Sequence, residues 1–124
     1  MIAYTTVGTN DLDKAVAFYD GLLGGVLGAQ VFFKSDRGRG WGVAPGQPMF
    51  SVLTPFDGEP ATAGNGTMVT LAATDPAQVQ ALHAKALELG AKDEGAPGAR
   101  GGGFYAAYFR DLDGNKLAAF CHVA

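Results

Sequence analysis

Tyr4-Thr5-Thr6-Val7-Gly8-Thr9-Asn10-Asp11 and Met68-Val69-Thr70-Leu71-Ala72-Ala73-Thr74-Asp75 decide how this sequence is read. The two octapeptides lie 64 residues apart, and each is a short extended run that ends on an aspartate able to cap a helix. The same shift pairs Ala17 with Ala81, Phe18 with Leu82 and Leu23 with Leu87. After each octapeptide come a helical pattern and then three strand-like runs. A matched order of elements beside matched letters indicates an internal duplication of a strand–helix–strand–strand–strand module.

The first helix is expected over about Asp11–Leu23, where Leu12, Ala15, Val16, Tyr19, Leu22 and Leu23 form one apolar stripe. The second is expected over about Asp75–Leu89. Pro76 is a good first helical residue, Gln78 completes a capping box with Asp75, and Gly90 suits a left-handed end. Strands are expected near Ala29–Lys34, Trp41–Ala44, Met49–Thr54, Ala91–Glu94, Phe104–Arg110 and Lys116–His122. Glycine and proline mark loops at Gly21–Gly28, Arg37–Gly40, Pro45–Pro48, Pro55–Gly66 and Gly95–Gly103.

Strand alternation sorts residues by face. Val7, Val52, Leu71, Leu117 and Ala119 pack under the helices in this reading. The opposite set then lines a candidate cavity: Tyr4, Thr6, Met49, Ser51, Leu53, Met68, Thr70, Ala118, Phe120 and His122.

The wider composition excludes several classes. At 124 residues the chain has room for one core, read as a single domain with modules at about 1–60 and 66–124. With 48% hydrophobic residues it is not a disordered chain. A net charge of −3 gives no basic footprint for nucleic acid. No apolar run approaches the roughly 20 residues that span a bilayer. The opening residues do not read as a signal peptide and the single Cys121 suits a reducing compartment, so a cytoplasmic location is expected.

Thr9-Asn10-Asp11-Leu12-Asp13-Lys14-Ala15-Val16-Ala17-Phe18-Tyr19 resembles the first strand-to-helix turn of the vicinal oxygen chelate superfamily, the glyoxalase, bleomycin-resistance and extradiol dioxygenase group. Phe104-Tyr105-Ala106-Ala107-Tyr108-Phe109-Arg110-Asp111-Leu112-Asp113-Gly114-Asn115-Lys116-Leu117 resembles its last hairpin. The resemblance implies an α+β fold of two tandem βαβββ modules, a cupped half-barrel of mixed sheet with helices outside. It also implies a metal held by four side chains from the first and last strands of each module. Those positions fall here on Tyr4, Ser51, Met68 and Ala118, which are poor ligands for a hard divalent cation. The expectation is a member without metal or other cofactor, binding a small organic molecule and pairing as a homodimer. The alternatives are a lyase, isomerase or dioxygenase-type enzyme with a recast site, using Tyr4 or His122 as acid or base, and a non-catalytic dimeric component.

Other candidates are read conservatively. Asp111-Leu112-Asp113-Gly114-Asn115 opens like a calcium loop, but Lys116 and His122 stand where that loop needs glycine and glutamate, so a hairpin turn is expected. Cys121 and His122 point to opposite faces and cannot share a proton; Cys121 is read as core. His83 is read as a structural helix residue. Tyr4, Phe33, Trp41, Tyr105 and Tyr108 are candidates to stack on a ligand. Lys116, with Arg39 or Arg100 from the glycine-rich stretches, would favour a weakly acidic or neutral aromatic ligand.

Overall fold

The computed structural model describes all 124 residues. The first half runs β1 (Tyr4–Gly8), α1 (Leu12–Tyr19), a π-helical segment (Asp20–Gly24), the single turn α2 (Gly25–Leu27), β2 (Gln30–Ser35), β3 (Gly38–Gly42) and β4 (Met49–Leu53). The second runs β5 (Val69–Ala72), α3 (Pro76–Glu88), β6 (Lys92–Gly101), β7 (Phe104–Arg110) and β8 (Lys116–His122). Two separate four-stranded sheets result, ordered β1-β4-β3-β2 and β5-β8-β7-β6. In each, the first strand is parallel to the last and the other pairs are antiparallel. This is the α+β architecture with the repeated βαβββ order expected from the sequence. Neither sheet closes, and β1 and β5 each keep one unpaired backbone edge.

The helix starts follow from local chemistry. Asp11 accepts from the Lys14 amide at 3.2 Å, and Asp75 accepts from the Gln78 amide at 2.8 Å. The return bond of the second cap is displaced by one residue: Gln78 Oε1 accepts from the Thr74 amide at 2.9 Å, not from Asp75. Gly90, at φ +104°, lets the chain leave α3.

Three expected loops are regular structure instead. Gly21–Leu27 continues the first helix through the π segment. Burial of Leu22 and Leu23 there outweighs the low helix propensity of Gly21, Gly24 and Gly25. Strand β3 begins at Gly38, not Trp41, and ends at Gly42. Strand β6 extends to Gly101, far beyond Glu94, with register shifts against β7 at three places. In both strands the glycines serve close packing between neighbours. A Cβ at Gly38 would lie 2.6 Å from the Val52 carbonyl oxygen, and one at Gly95 would lie 2.9 Å from the Tyr108 ring.

One core joins both halves. Tyr19, Trp41, Phe50 and Val52 share it with Val79, Leu82, Phe109 and Leu117. Helix α3 packs on the β6–β8 sheet and also touches the π segment and α2. Each sheet therefore has one helix-covered face and one helix-free face. Val52, Leu117 and Ala119 are fully buried on the covered faces, as their alternation predicts.

The Asp111–Asn115 turn locks the halves together. Asp111 Oδ1 accepts from the Asp113 and Asn115 amides, each at 2.9 Å. Asn115 Nδ2 donates to the Gly8 carbonyl at 2.8 Å, and Asp113 Oδ1 accepts from the Asn10 amide at 2.9 Å. The aspartates of the calcium-like opening are thus spent on protein donors.

Candidate functional site

On the first sheet, the helix-free face carries Tyr4 and Thr6 from β1, beside Met49, Ser51 and Leu53 from β4. Strand β3 contributes no side chain to this face, because Gly38, Gly40 and Gly42 occupy its alternate positions. A Cβ at Gly40 would lie 2.7 Å from Ser51 Oγ, and one at Gly42 would lie 3.0 Å from the Phe32 ring. The glycine stripe leaves a hollow of about 220 Å³ lined by Tyr4, Thr6, Phe33, Met49, Ser51 and Leu53. This lining holds three hydroxyls and no charged group. Tyr4 is 60% exposed at the rim, whereas Ser51, 2% exposed, is floor.

The helix-free face of the second sheet has a different character. Phe104, Phe120 and His122 form an aromatic trio with ring centroids 4.9–5.6 Å apart. Next to it lie Ala106 and Ala118, register partners of Phe120 and Tyr108. Beyond them Tyr108 is flanked by two cations. The Arg100 guanidinium carbon and the Lys116 ammonium each lie 5.4 Å from its ring centroid. Arg110 Nε is paired with Glu94, and that hydrogen bond is the main cause holding the Glu94 carboxyl below its usual range.

The sequence-predicted residues are thus divided between places. Tyr4, Met49 and Ser51 share the first hollow. Ala118, Phe120 and His122 sit on the other sheet, with Ala118 only 1% exposed beneath its neighbours and His122 exposed. Met68, 44% exposed, lies with Met49 at a groove of about 650 Å³ between the unpaired edges of β1 and β5. Ile2, Thr5, Trp41, Phe50, Val69 and Leu71 also line this groove. Face alternation alone does not reveal it, since it depends on how the two sheets meet.

Several stacking and anion candidates are corrected. Trp41 is 2% exposed in the core, where its Nε1 donates to Asp20 Oδ1 at 2.8 Å. Tyr105 turns to the helix side and accepts from Gln80 Nε2 at 2.9 Å. Arg39 pairs in register with core residue Val52, and its buried Nε has no partner. Two conservative readings agree with the structure: Cys121 is buried, and His83 is buried with Nε2 3.0 Å from Asp93 Oδ1.

The metal positions implied by the resemblance can be tested by register. Thr6 opposes Ser51 as Thr70 opposes Ala118, so Ser51 and Ala118 are equivalent. With Tyr4 and Met68 they offer a phenol, a hydroxyl, a thioether and a methyl group. No three His, Cys, Asp or Glu side chains gather anywhere to hold an ion. This donor set does not fit a hard divalent metal.

The model of the Glyoxalase/Bleomycin resistance protein/Dioxygenase superfamily matches residues 1–119. The chain belongs to this superfamily. Among solved structures, a glyoxalase/bleomycin resistance protein from Albidiferax ferrireducens is 39% identical, with a TM-score of 0.88 and 97% of each chain covered. A glyoxalase/bleomycin resistance protein/dioxygenase family enzyme from Burkholderia phytofirmans is 21% identical, with a TM-score of 0.75 over 95% of each chain. Lactoylglutathione lyase from Agrobacterium tumefaciens is 23% identical, with a TM-score of 0.68 over 97% of this chain and 92% of that one. The last two likenesses concern the fold alone. No curated protein matches the chain. Within the superfamily fold, no helix here is long and apolar enough to cross a membrane.

Proposed function

We propose that this superfamily member binds a small organic molecule against its helix-free sheet faces, without a metal, as a homodimer. In this reading residues 1–124 are one domain with modules at about 1–60 and 66–124. The observation that carries it is the glycine-backed hollow beside Tyr4, Met49 and Ser51. It is apolar with a few hydroxyls, the usual character of a small-molecule pocket, and it coincides with positions that have no metal donors. The hollow is small and sits on one sheet only. The unpaired edges of β1 and β5 and the apolar groove between them need cover. A two-fold partner would supply that cover and set the first-sheet face of one chain against the second-sheet face of the other, so that Tyr4, Met49, Ser51, Met68, Ala118, Phe120 and His122 border a shared cavity.

The test is a ligand screen by thermal shift on protein purified without chelator, with elemental analysis and light scattering on the same sample. The expected result is a hit, well under one transition-metal ion per chain, and twice the 12.7 kDa chain mass. Because Ala118 is buried, Ala118→Trp is paired with Thr70→Trp, an exposed register neighbour. Either substitution, in a protein that still folds, should abolish binding of the hit. Retained affinity in both would place the ligand elsewhere. Turnover of methylglyoxal–glutathione hemithioacetal would favour the enzyme alternative instead.

A further inference from the structure

We infer that the ligand is an organic anion with a flat apolar body, held by Arg100 and Lys116 on either flank of Tyr108. The inference rests on the binding reading above and adds the charge and shape of the ligand. Its basis is two cations without a direct ion-pair partner on a protein whose net charge is −3. Glu94 is the nearby carboxylate, and it is taken by Arg110. Arg100 and Lys116 have no carboxylate within ion-pair distance; their described contacts are the Tyr108 ring and, for Arg100, the Ala96 carbonyl.

Arg100 is placed, not merely tethered. Its guanidinium lies in a trough that exists because residues 95 and 98 are glycines. A Cβ at Gly98 would be 2.9 Å from Arg100 Nη1, and one at Gly95 would be 3.5 Å from Nη2. With Nη2 anchored on Ala96, the other guanidinium donors stay open for a carboxylate. The register then sets the shape. Ala106 and Ala118 are buried between this cationic centre and the Phe104, Phe120 and His122 trio, so the half-buried rings of Tyr108 and Phe120 are the apolar surface presented there. An aryl group laid against the Tyr108 and Phe120 rings puts an acidic substituent beside Lys116, two residues along β8 from Ala118. The first-sheet hollow has no carboxylate that could neutralise these cations from a partner chain.

The probe pair is 1-naphthoate and its neutral isostere 1-naphthamide, titrated into the full chain by calorimetry and followed by NMR. Naphthoate should bind about tenfold or more tighter than the amide, as expected for a charge-assisted pair. The preference should shrink with added salt. Arg100→Gln with Lys116→Gln, at an exposed and a half-buried position, should remove the preference for the acid. Equal affinities for acid and amide, unchanged in the double variant, would overturn the inference and leave the binding reading standing. Failure of every uncharged and charged compound to bind would overturn the binding reading, and this one with it. If the double variant shifts the monomer–dimer balance while naphthoate binding persists, the cations serve the partner chain and the inference is wrong.

Discussion

The Tyr19 hydroxyl donates to Asp111 Oδ2 at 2.5 Å, a buried bond between residues 92 apart in sequence. Tyr19 ends α1 of the first half, and Asp111 opens the last hairpin of the second. The ring also packs on Phe50 and Phe18, with centroids 4.6 and 4.9 Å away. One side chain thus carries both apolar packing and a polar link between the two halves.

Tyr19→Phe keeps the packing and removes the link. Asp111 Oδ2 then retains only Asn115 Nδ2, at 2.9 Å. The expected loss is about 1.5–3 kcal/mol, the range for a hydrogen bond to a charged group, read as a lower urea midpoint with an unchanged slope.

The same residue sets the alkaline limit. Burial, reinforced by the charge of Asp111, holds the Tyr19 hydroxyl well above its ordinary value near 10. A raised folded value means that the stabilisation is complete below the unfolded value and is lost as pH rises toward the folded one. The melting temperature should therefore fall above about pH 10, and this fall should be smaller in Tyr19→Phe.

The acid limit has the opposite sign. The Gly95 amide, followed by His83, holds the Asp93 carboxyl below its ordinary value. Arg110 does the same for Glu94. Depressed carboxylates stabilise above their unfolded values, and that stability is lost as pH falls through about 4. Melting curves from pH 6 to 3 should be flatter for Asp93→Asn combined with Glu94→Gln than for the parent.

Two glycine substitutions should differ in sign. Gly38→Ala drives a methyl group to 2.6 Å from the Val52 carbonyl oxygen, backbone that cannot yield cheaply. It should cost about 1–3 kcal/mol, as overpacking does. Gly24→Ala has helical dihedrals, φ −70° and ψ −44°, with the nearest atom 3.7 Å from the new methyl. It should stabilise by about 0.4–1 kcal/mol through the unfolded chain. Chemical denaturation of both variants checks the pair.

What the sequence makes legible is local. Asp11 and Asp75 cap helices because their neighbours in sequence supply the donors. Val52 and Leu117 sit inside because alternation needs no partner to be read. The glycine-rich strands are different. Gly38, Gly40, Gly95 and Gly98 look like loop residues in isolation, and only the chain packed beside them shows that a side chain would not fit. Trp41 is misread for the same reason, since its indole partner, Asp20, comes from the π segment. Lys116 is recognisable as a cavity-side cation from β8 alone. Arg100 is nameable only as one of two alternatives with Arg39, because the choice between them depends on the bulges of β6 and on the face that Arg39 takes in β3. The division of the candidate residues between two sheet faces depends on how the helices join the halves, which periodicity does not encode.

Trp41 is the only tryptophan in the chain, and it lines the groove between β1 and β5 while staying out of both helix-free faces. Intrinsic emission is therefore a local spectroscopic reporter. It follows loss of the core on unfolding, and it changes when a molecule or a partner chain settles in the groove. A ligand confined to the glycine-backed hollow or to the Arg100–Tyr108–Lys116 centre should leave that emission unchanged. A fluorescence titration that stays flat while calorimetry shows heat would therefore assign the ligand to the sheet faces and not to the groove.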